Sequence, residues 1–196
     1  MENSLKKNNL YPVFLKLESM QVLLVGAGNV GLEKLESLLG NSPAAAITIV
    51  APFVKKELSE FVKNFPACTL LERGFEASDL ENKHIVVCAT DNSGLHQQIK
   101  KLANAKGLLV NVADSPSLCD FYLGSIVQKG SLKIAISTDG KSPTIAKRVK
   151  EVLNETLPGE IDSLLENMQA IRNKMSGDFA EKVKQLNEIT KKLTEN

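Results

Sequence analysis

Three glycines near the start of the chain stand at the spacing of a dinucleotide-binding loop. Gly26, Gly28 and Gly31 form a GxGxxG pattern, which follows an apolar run and opens a segment with helical periodicity. In such a loop the first glycine permits a tight turn, the second lets a pyrophosphate approach the backbone, and the third lets helix and strand pack closely. The pattern predicts a dinucleotide site. The alternative is a glycine-rich turn that binds nothing.

The second predicted strand, at residues 46–50, does not lead into the acid that usually selects NAD. That acid stands about 20 residues after the glycines and accepts a hydrogen bond from the ribose 2′-hydroxyl. Here Pro52 and Phe53 follow the strand, and then Lys55 and Lys56, without an arginine of the kind that receives a 2′-phosphate. We expect backbone groups at Pro52 and Phe53 to hold the adenosine ribose. The choice between NAD and NADP stays open on this chemistry alone.

Two polar residues follow the fourth predicted strand, at residues 84–89. Thr90 and Asp91 stand where the chain should line the nicotinamide side of the crevice, so they could hydrogen-bond ribose or substrate. The alternative is that Asp91 and Asn92 form a turn that caps the next helix.

Asp114 is the candidate for proton transfer. It follows the fifth predicted strand, at residues 108–112, and Ser115 and Pro116 stand behind it. A carboxylate at the carboxyl end of a central strand can face a ligand in the cleft and serve as a general base. The alternative is an aspartate that caps the Ser-Pro turn.

Residues 129–150 concentrate positive charge in a chain whose formal net charge is only +1. Six basic residues stand against Asp139 as the only acid, which leaves a local charge of +5. Residues 137–143 form a loop rich in hydroxyls and glycine before a helix N-terminus, an arrangement that receives anions. This predicts a pocket for a polyanionic ligand, against the alternative of a solvated basic helix face. Nucleic acid ranks lower, because the segment is short and has few aromatic residues.

The bulk composition sets limits on the class of protein. With 196 residues, 43% hydrophobic and 24% charged, the chain has the composition of a soluble globular protein with one α/β domain and a small appendage. We find no secretory signal and no membrane span. The three cysteines are widely spaced and odd in number, which predicts reduced thiols in a cytoplasmic protein. With only two histidines besides, we predict no metal site.

The secondary structure alternates between strand and helix up to Asp114 and then changes rhythm. Buried apolar strands that alternate with helices imply a parallel, doubly wound α/β sheet. Later come a strand, a tight turn at Lys129-Gly130, a strand, a helix capped by Ser142, and a helical hairpin with a break at residues 176–178. The predicted strands cover residues 21–26, 46–50, 69–71, 84–89, 108–112, 121–128 and 132–137, and the predicted helices before the hairpin cover residues 30–39, 55–64, 93–105 and 142–153.

Five stretches, taken together in order, resemble the precorrin-2 dehydrogenase family, the amino-terminal module of siroheme synthases. They are LYPVFLKLESMQVLLVGAGNVGLEK, TIVAP, VVCATD, VNVADSPSLCDFYLGSI and LKIAISTDGKSP, and the match covers residues 10–158. The resemblance implies a Rossmann-type NAD-binding domain over residues 1–113. It further implies a dimerisation and substrate-binding segment over 114–157 and a small helical domain over 158–196.

The family oxidises precorrin-2 to sirohydrochlorin with NAD as hydride acceptor, and some members also insert ferrous iron to give siroheme. By this resemblance Asp114 is the catalytic aspartate, which takes the proton that leaves as hydride is transferred. The basic segment would then bind the polycarboxylate macrocycle. The residues predicted to contact the cofactor are Gly26, Gly28, Asn29, Val30, Gly31, Pro52, Phe53, Thr90 and Asp91. Those predicted to contact the substrate are Asn111, Ser137, Thr138, Lys141 and Ser142.

Three positions depart from the residues that the family commonly has. Pro is common where Gly124 stands, Gly where Asp139 stands, and Asn where His96 stands. Asp139 therefore puts an acid into the predicted anion loop. The methyltransferase half of the fused enzymes is absent from this sequence, so we expect a stand-alone dehydrogenase.

The expected partners follow from the same features. We predict a homodimer, because the apolar faces of the helical arms and of the later strand pair exceed what one small domain covers. We predict neither a nucleic-acid nor a membrane partner. The alternative function is a dinucleotide-sensing regulatory module that binds a protein partner, which would need neither Asp114 nor the basic loop.

Overall fold

A computed structural model describes residues 7–159, 161–175 and 178–190 of the chain. Ser176 and Gly177 of the predicted hairpin break lie outside the described residues. The chain divides into two compact units, Met1–Leu123 and Gly124–Asn196. The three-part division at residues 113 and 157 stays a prediction. Within the described ranges no helix has the length and apolar character that crossing a bilayer requires.

The first unit is a five-stranded parallel sheet with helices on both faces, in the order β3-β2-β1-β4-β5. Its strands are β1 (Gln21–Ala27), β2 (Ala46–Val54), β3 (Thr69–Leu71), β4 (Ile85–Cys88) and β5 (Leu109–Val112). Its helices are α1 (Asn29–Asn41), α2 (Lys56–Val62) and α3 (Ser93–Ala105). The predicted Rossmann-type fold is thereby confirmed. The strand order reverses between β1 and β4, so the crevice opens at the carboxyl ends of these strands.

The central strands are apolar throughout because both of their faces are covered. Side chains alternate along β1, so Val22 and Leu24 pack on the face covered by α1 and α2, while Leu23 and Val25 pack on the face covered by α3. All four are buried. This two-sided burial explains why the strand is a continuous apolar run rather than an alternating one.

β2 extends four residues beyond the predicted end at Val50. Its pairing with β1 is regular up to Val50, is interrupted, and resumes where Val54 lies opposite Ala27. Pro52 falls in the interrupted stretch, so its missing N–H costs no ladder hydrogen bond. The proline hid this extension in the sequence, since it usually ends a central strand.

An ion pair between the partly exposed Arg73 and the buried Asp79 holds the connection between β3 and β4. The Arg73 guanidinium donates to both carboxylate oxygens of Asp79, at 2.9 and 2.6 Å. The Asp79 side chain is 5% exposed and also accepts the Glu76 N–H at 2.8 Å. These bonds close a 3₁₀ turn at Ala77–Leu80, which carries Leu80 into the core. The sequence predicted neither strand nor helix between residues 72 and 83.

The described residues of the second unit form an antiparallel strand pair and three helices. These elements are β6 (Ser125–Lys129), β7 (Leu132–Ile136), α4 (Pro143–Thr156), α5 (Ile161–Lys174) and α6 (Phe179–Thr190). The predicted strand pair, capped helix and helical hairpin are confirmed. β6, however, starts at Ser125 and not at residue 121, because Phe121 and Leu123 pack against the core of the first unit.

The Arg73–Asp79 pair predicts an acid-dependent loss of stability. The hydrogen bonds from Arg73 hold the pKa of the Asp79 carboxyl below its usual value. Such a group stabilises the fold above its unfolded-state pKa, and that contribution is lost as the pH falls through the lower folded-state pKa. We expect Asp79→Asn to lower the free energy of unfolding at pH 7 by about 2 kcal/mol. Measured by urea unfolding, the free energy of unfolding of Asp79→Asn should also fall less than that of wild type between neutral and acid pH.

Glu81→Gln is the matched control, because the Glu81 side chain is 60% exposed where it pairs with Lys106. We expect a change below about 0.5 kcal/mol for this variant. If the free energy of unfolding fell equally with pH in wild type and in Asp79→Asn, Asp79 would be excluded as a source of the acid-dependent loss of stability.

Candidate functional site

Two of the three glycines are required by the packing of the protein itself. Gly26 has a φ of +107°, and a Cβ placed on it would lie 2.5 Å from the carbonyl oxygen of Ala89 and 2.9 Å from Cγ2 of Thr90. A Cβ on Gly31 would overlap the carbonyl oxygen of Gly26. The end of β1 is therefore in backbone contact with the start of α1 and with the chain that leaves β4.

Gly28 differs, because the described chain leaves the space beside it open. No atom lies within 4 Å of a Cβ placed there. Gly28 is the N-cap of α1, its carbonyl accepts the Leu32 N–H at 2.9 Å, and no side chain of the described residues caps the helix. The N–H groups of Asn29, Val30 and Gly31 thus lie at the positive end of the helix dipole. Open space before an uncapped helix start fits a pyrophosphate.

The carboxyl end of β2 lies at the same edge as the glycine loop. Val54 pairs with Ala27, and the Lys55 N–H donates to the Ala27 carbonyl at 3.0 Å. Pro52 and Phe53 are both exposed, and Phe53 is 87% accessible. The core therefore does not use the Phe53 ring, which leaves it available to a ligand at this edge.

The exit of β4 packs against the glycine loop from the other side. The Thr90 methyl group faces Gly26, and its hydroxyl oxygen lies 2.8 Å from Nε2 of His96 and accepts the Asn92 N–H at 3.3 Å. Asn92 caps α3 by accepting the Leu95 N–H at 2.9 Å. The capping alternative is thus right for Asn92. Thr90 and Asp91 are not part of that cap, and their role in cofactor binding stays a prediction.

Asp114 stands exposed at the carboxyl end of β5 in an unusual backbone conformation. The Ala113 N–H donates to the Cys88 carbonyl at 2.9 Å, so β5 runs beside β4 up to the residue before Asp114. Asp114 has a φ of +56°, a left-handed conformation that aspartate tolerates better than most residues. The following 3₁₀ turn, Pro116–Leu118, has Ser115 as its N-cap residue and no side-chain cap. Asp114 therefore does not cap that turn.

Asp120 clamps the returning end of the Asp114 loop onto β5. Its N–H donates to the Val110 carbonyl at 2.8 Å, and its carboxylate accepts the Val110 N–H at 2.9 Å. The same carboxylate accepts from Lys100 of α3 at 2.5 Å. The loop is thus closed by backbone, side chain and ion pair together.

Cys119 and Asn111 complete this clamp. The Cys119 sulfur accepts the Val112 N–H at 3.2 Å and donates to the Val112 carbonyl at the same distance. The Asn111 amide is buried and donates to the Phe121 carbonyl at 2.8 Å. Asn111 thereby orients the chain beyond Asp114, and its predicted contact with substrate stays a prediction.

The sequence did not assign any role to His96, Cys119 or Asp120. His96 is one histidine on an apolar helical stripe, and such a residue carries no motif. Cys119 and Asp120 follow Asp114 closely, but their pairing with β5 depends on the return of the chain. Cys88 lies behind this loop, and burial raises the pKa of its thiol to about 12, so it is an unreactive thiol at neutral pH.

Residues 137–143 of the second unit form the predicted hydroxyl-rich loop. The Thr138 hydroxyl donates to the Ser142 carbonyl at 3.1 Å and accepts the Ser142 N–H at 3.3 Å. The Ser142 hydroxyl caps α4 by accepting the Ile145 N–H at 3.2 Å. The loop is thus held in register with the helix that it begins.

Between these residues the loop turns through two left-handed positions, Asp139 with a φ of +56° and Gly140 with +71°. The Asp139 N–H donates to the Ser137 hydroxyl at 3.2 Å, and its carboxylate lies 3.9 Å from the Lys141 ammonium. The structure brings Ser137, Thr138, Lys141 and Ser142 into one loop, and their contact with substrate stays a prediction. Across the described ranges, no three His, Cys, Asp or Glu side chains form a group that could hold a metal ion.

The surroundings of the two glycines predict different effects of alanine substitution on the free energy of unfolding. Gly31→Ala forces a methyl group into the Gly26 carbonyl, and we expect it to lower the free energy of unfolding by about 2 kcal/mol or more. Gly28→Ala adds a methyl group in open space at a negative φ of −84°, so we expect a change below about 0.5 kcal/mol. Urea unfolding of the two variants side by side checks both values. Equal destabilisation would show that Gly28 is also a packing glycine.

Two family models match the chain in succession. The model described as "Putative NAD(P)-binding" matches residues 13–125, which include the glycine loop and Asp114. The model described as "Sirohaem biosynthesis protein central" matches residues 129–155, which include β7 and most of α4.

Curated relatives match most of this chain. The siroheme synthase of Ruthia magnifica is 33% identical over 177 residues, which are 90% of this chain and 35% of that protein. The siroheme synthase of Pseudoalteromonas translucida is 37% identical over 168 residues, which are 86% of this chain and 35% of that protein. The chain thus spans 35% of the length of these relatives.

A solved structure matches the fold. SirC, a precorrin-2 dehydrogenase, has 29% sequence identity and a TM-score of 0.71, over 92% of this chain and 89% of that chain. The first family model covers more than half of the 196 residues. From its fold, its glycine loop and these matches, the chain belongs to the NAD(P)-binding family of precorrin-2 dehydrogenase and siroheme synthase.

Proposed function

We propose that the chain is an NAD-dependent precorrin-2 dehydrogenase, which oxidises precorrin-2 to sirohydrochlorin. The observation that carries the proposal is an exposed carboxylate, Asp114, at the sheet edge that also bears the glycine loop. The strand that precedes Asp114, β5, is the neighbour of β4, and β4 is the neighbour of the glycine-bearing β1. Similarity to SirC, described as a precorrin-2 dehydrogenase, supports the substrate.

The residues at this edge fit a dinucleotide. The open space at Gly28 and the uncapped start of α1 suit the pyrophosphate, with the N–H groups of Asn29 and Val30 as donors. Pro52 and Phe53 would hold the adenosine end. NAD, when bound, supplies the hydride acceptor. The residues that would contact the nicotinamide end are Thr90 and Asp91.

Asp114 would act as the general base. Oxidation of the macrocycle removes a hydride and a proton, and the carboxylate of Asp114 takes the proton. The clamp by Asp120 and Cys119 holds the left-handed backbone, so the carboxylate is presented at the edge before substrate arrives. The free-energy cost of the left-handed Asp114 backbone is thus met when the protein folds and not during the reaction.

The hydroxyl-rich loop of residues 137–143 would bind the carboxylates of the macrocycle. Lys141 supplies charge, and the backbone around Ser137 and Thr138 supplies donors. Asn111 is proposed as a further substrate contact. Asp139, whose carboxylate is 3.9 Å from the Lys141 ammonium, competes with substrate for that charge.

Two further parts of the proposal concern a second activity and the location. The same residues would assist insertion of ferrous iron into sirohydrochlorin, with Asp114 accepting the pyrrole protons as the metal enters as a substrate. We place the protein in the cytoplasm, a proposal supported by the three free thiols.

An anaerobic assay with precorrin-2 and either NAD or NADP, followed by ferrous or cobaltous ion, tests these activities. We expect sirohydrochlorin with NAD, and Asp114→Asn to lower kcat about 100- to 10,000-fold, since the amide keeps the left-handed backbone but cannot accept a proton. Absorbance of the macrocycle measures both steps. Full activity of Asp114→Asn would remove Asp114 from the mechanism.

Gly28→Ala is the matched control, because it changes the dinucleotide side alone. We expect this variant to lose NADH binding in a fluorescence titration, while Asp114→Asn keeps it. Wild-type protein that binds NADH but shows no response to the tetrapyrrole would favour the regulatory module instead.

A homodimer is the proposed assembly. Ile145, Val149 and Val152 form an exposed apolar stripe along α4, at the spacing of one helix face. We expect Val149→Glu to shift the protein from dimer to monomer at micromolar concentration in sedimentation equilibrium. Lys147→Gln on the other side of the helix should leave the dimer intact. A monomeric wild type would overturn this assembly.

A further inference from the structure

We propose that His96 is a positioning residue, whose imidazole fixes the hydroxyl of Thr90 at the mouth of the crevice and thereby strengthens dinucleotide binding. The inference rests on the proposed function, because the orientation of Thr90 matters only where a dinucleotide occupies the crevice. His96 itself would not touch the cofactor.

His96 is a polar exception on the inner face of α3. The other buried residues of that helix are Ile99 and Ala103, which pack on the sheet as ordinary core residues. His96 is 4% exposed, and its Nε2 lies 2.8 Å from the Thr90 hydroxyl oxygen. Burial lowers the pKa of the imidazole, so the ring is neutral at pH 7. A buried polar ring in an apolar stripe needs a partner, and Thr90 is that partner.

The position of Thr90 gives this contact its consequence. Its methyl group faces Gly26, the first glycine of the loop, while its hydroxyl meets His96 and the Asn92 N–H. The side-chain rotamer is thus fixed on two sides. A threonine hydroxyl can make one donated and two accepted hydrogen bonds, so two are used within the protein and one remains for a ligand. Without His96 the Thr90 oxygen would still accept the Asn92 N–H, but the direction of its O–H bond would no longer be fixed, and a ligand would have to order it on binding.

NADH binding, followed by its fluorescence, is the direct test. We expect His96→Leu to raise the Kd for NADH about five- to tenfold, the loss expected for one hydrogen bond. His96→Gln should restore the Kd to within about twofold of wild type, because its amide reaches the place of Nε2 and can make the same hydrogen bond. A residue with a merely structural role would not show this rescue.

A double-mutant cycle with Thr90→Val asks whether His96 acts through Thr90. We expect Thr90→Val to raise the Kd by a similar factor, and His96→Leu to add nothing further in that background. In turnover, the KM for NAD should rise while kcat changes by less than about twofold, because the contact is the same in the ground and transition states.

Several results would overturn the inference. They are an unchanged Kd in His96→Leu, no rescue by His96→Gln, and fully additive losses in the double variant. Should His96→Leu not fold, Thr90→Val decides, since an unchanged Kd there also refutes the inference. Wild-type protein that binds no NADH refutes the proposed function together with this inference, whereas normal wild-type binding with an unaffected His96→Leu refutes this inference alone.

Discussion

The carbonyl oxygen of Gly26 occupies the place where a side chain on Gly31 would stand, and the crevice depends on this backbone contact. The contact draws the start of α1 onto the end of β1, which aims the helix N-terminus across the sheet edge. The carbonyl group of Ala89 and the methyl group of Thr90 lie against Gly26 from the side of β4, so three chain segments meet where the two glycines have no side chains. A larger residue at either glycine would separate them, and the edge would lose its shape.

The two halves of this edge are built in different ways. The glycine-loop side, where we propose that the dinucleotide binds, consists mainly of backbone, because small residues leave main-chain N–H groups open to a ligand. The other side is a loop with a left-handed aspartate, Asp114, which side chains hold in place. Asp120 and Cys119 bond to both the N–H and C=O groups of β5, so the loop cannot relax without breaking strand-like hydrogen bonds. A conformation that costs free energy therefore persists because its surroundings are rigid.

The sequence predicted the parallel strands and their helices in order, because apolar runs, periodicity and the glycine spacing all carry local information. It missed the end of β2, since Pro52 lies in a pairing gap that only the neighbouring strand reveals. It predicted the start of β6 at residue 121 instead of Ser125, because Phe121 has strand propensity but packs against the core of the first unit. The position of Asp114 just beyond the carboxyl end of β5 could be predicted, because it follows an apolar strand. Its left-handed backbone and its clamp could not, since they depend on a chain return that no spacing rule describes.

Helix α3 carries two supports that lie one turn apart. His96 meets Thr90 near the glycine loop, and Lys100 meets Asp120 at the base of the Asp114 loop. Helix α3 therefore contacts both the chain beside the glycine loop and the Asp114 loop, and a tilt of this helix would move the two segments together. Under the proposed function, a substitution on the inner face of α3 would therefore change cofactor binding and the placement of Asp114 together.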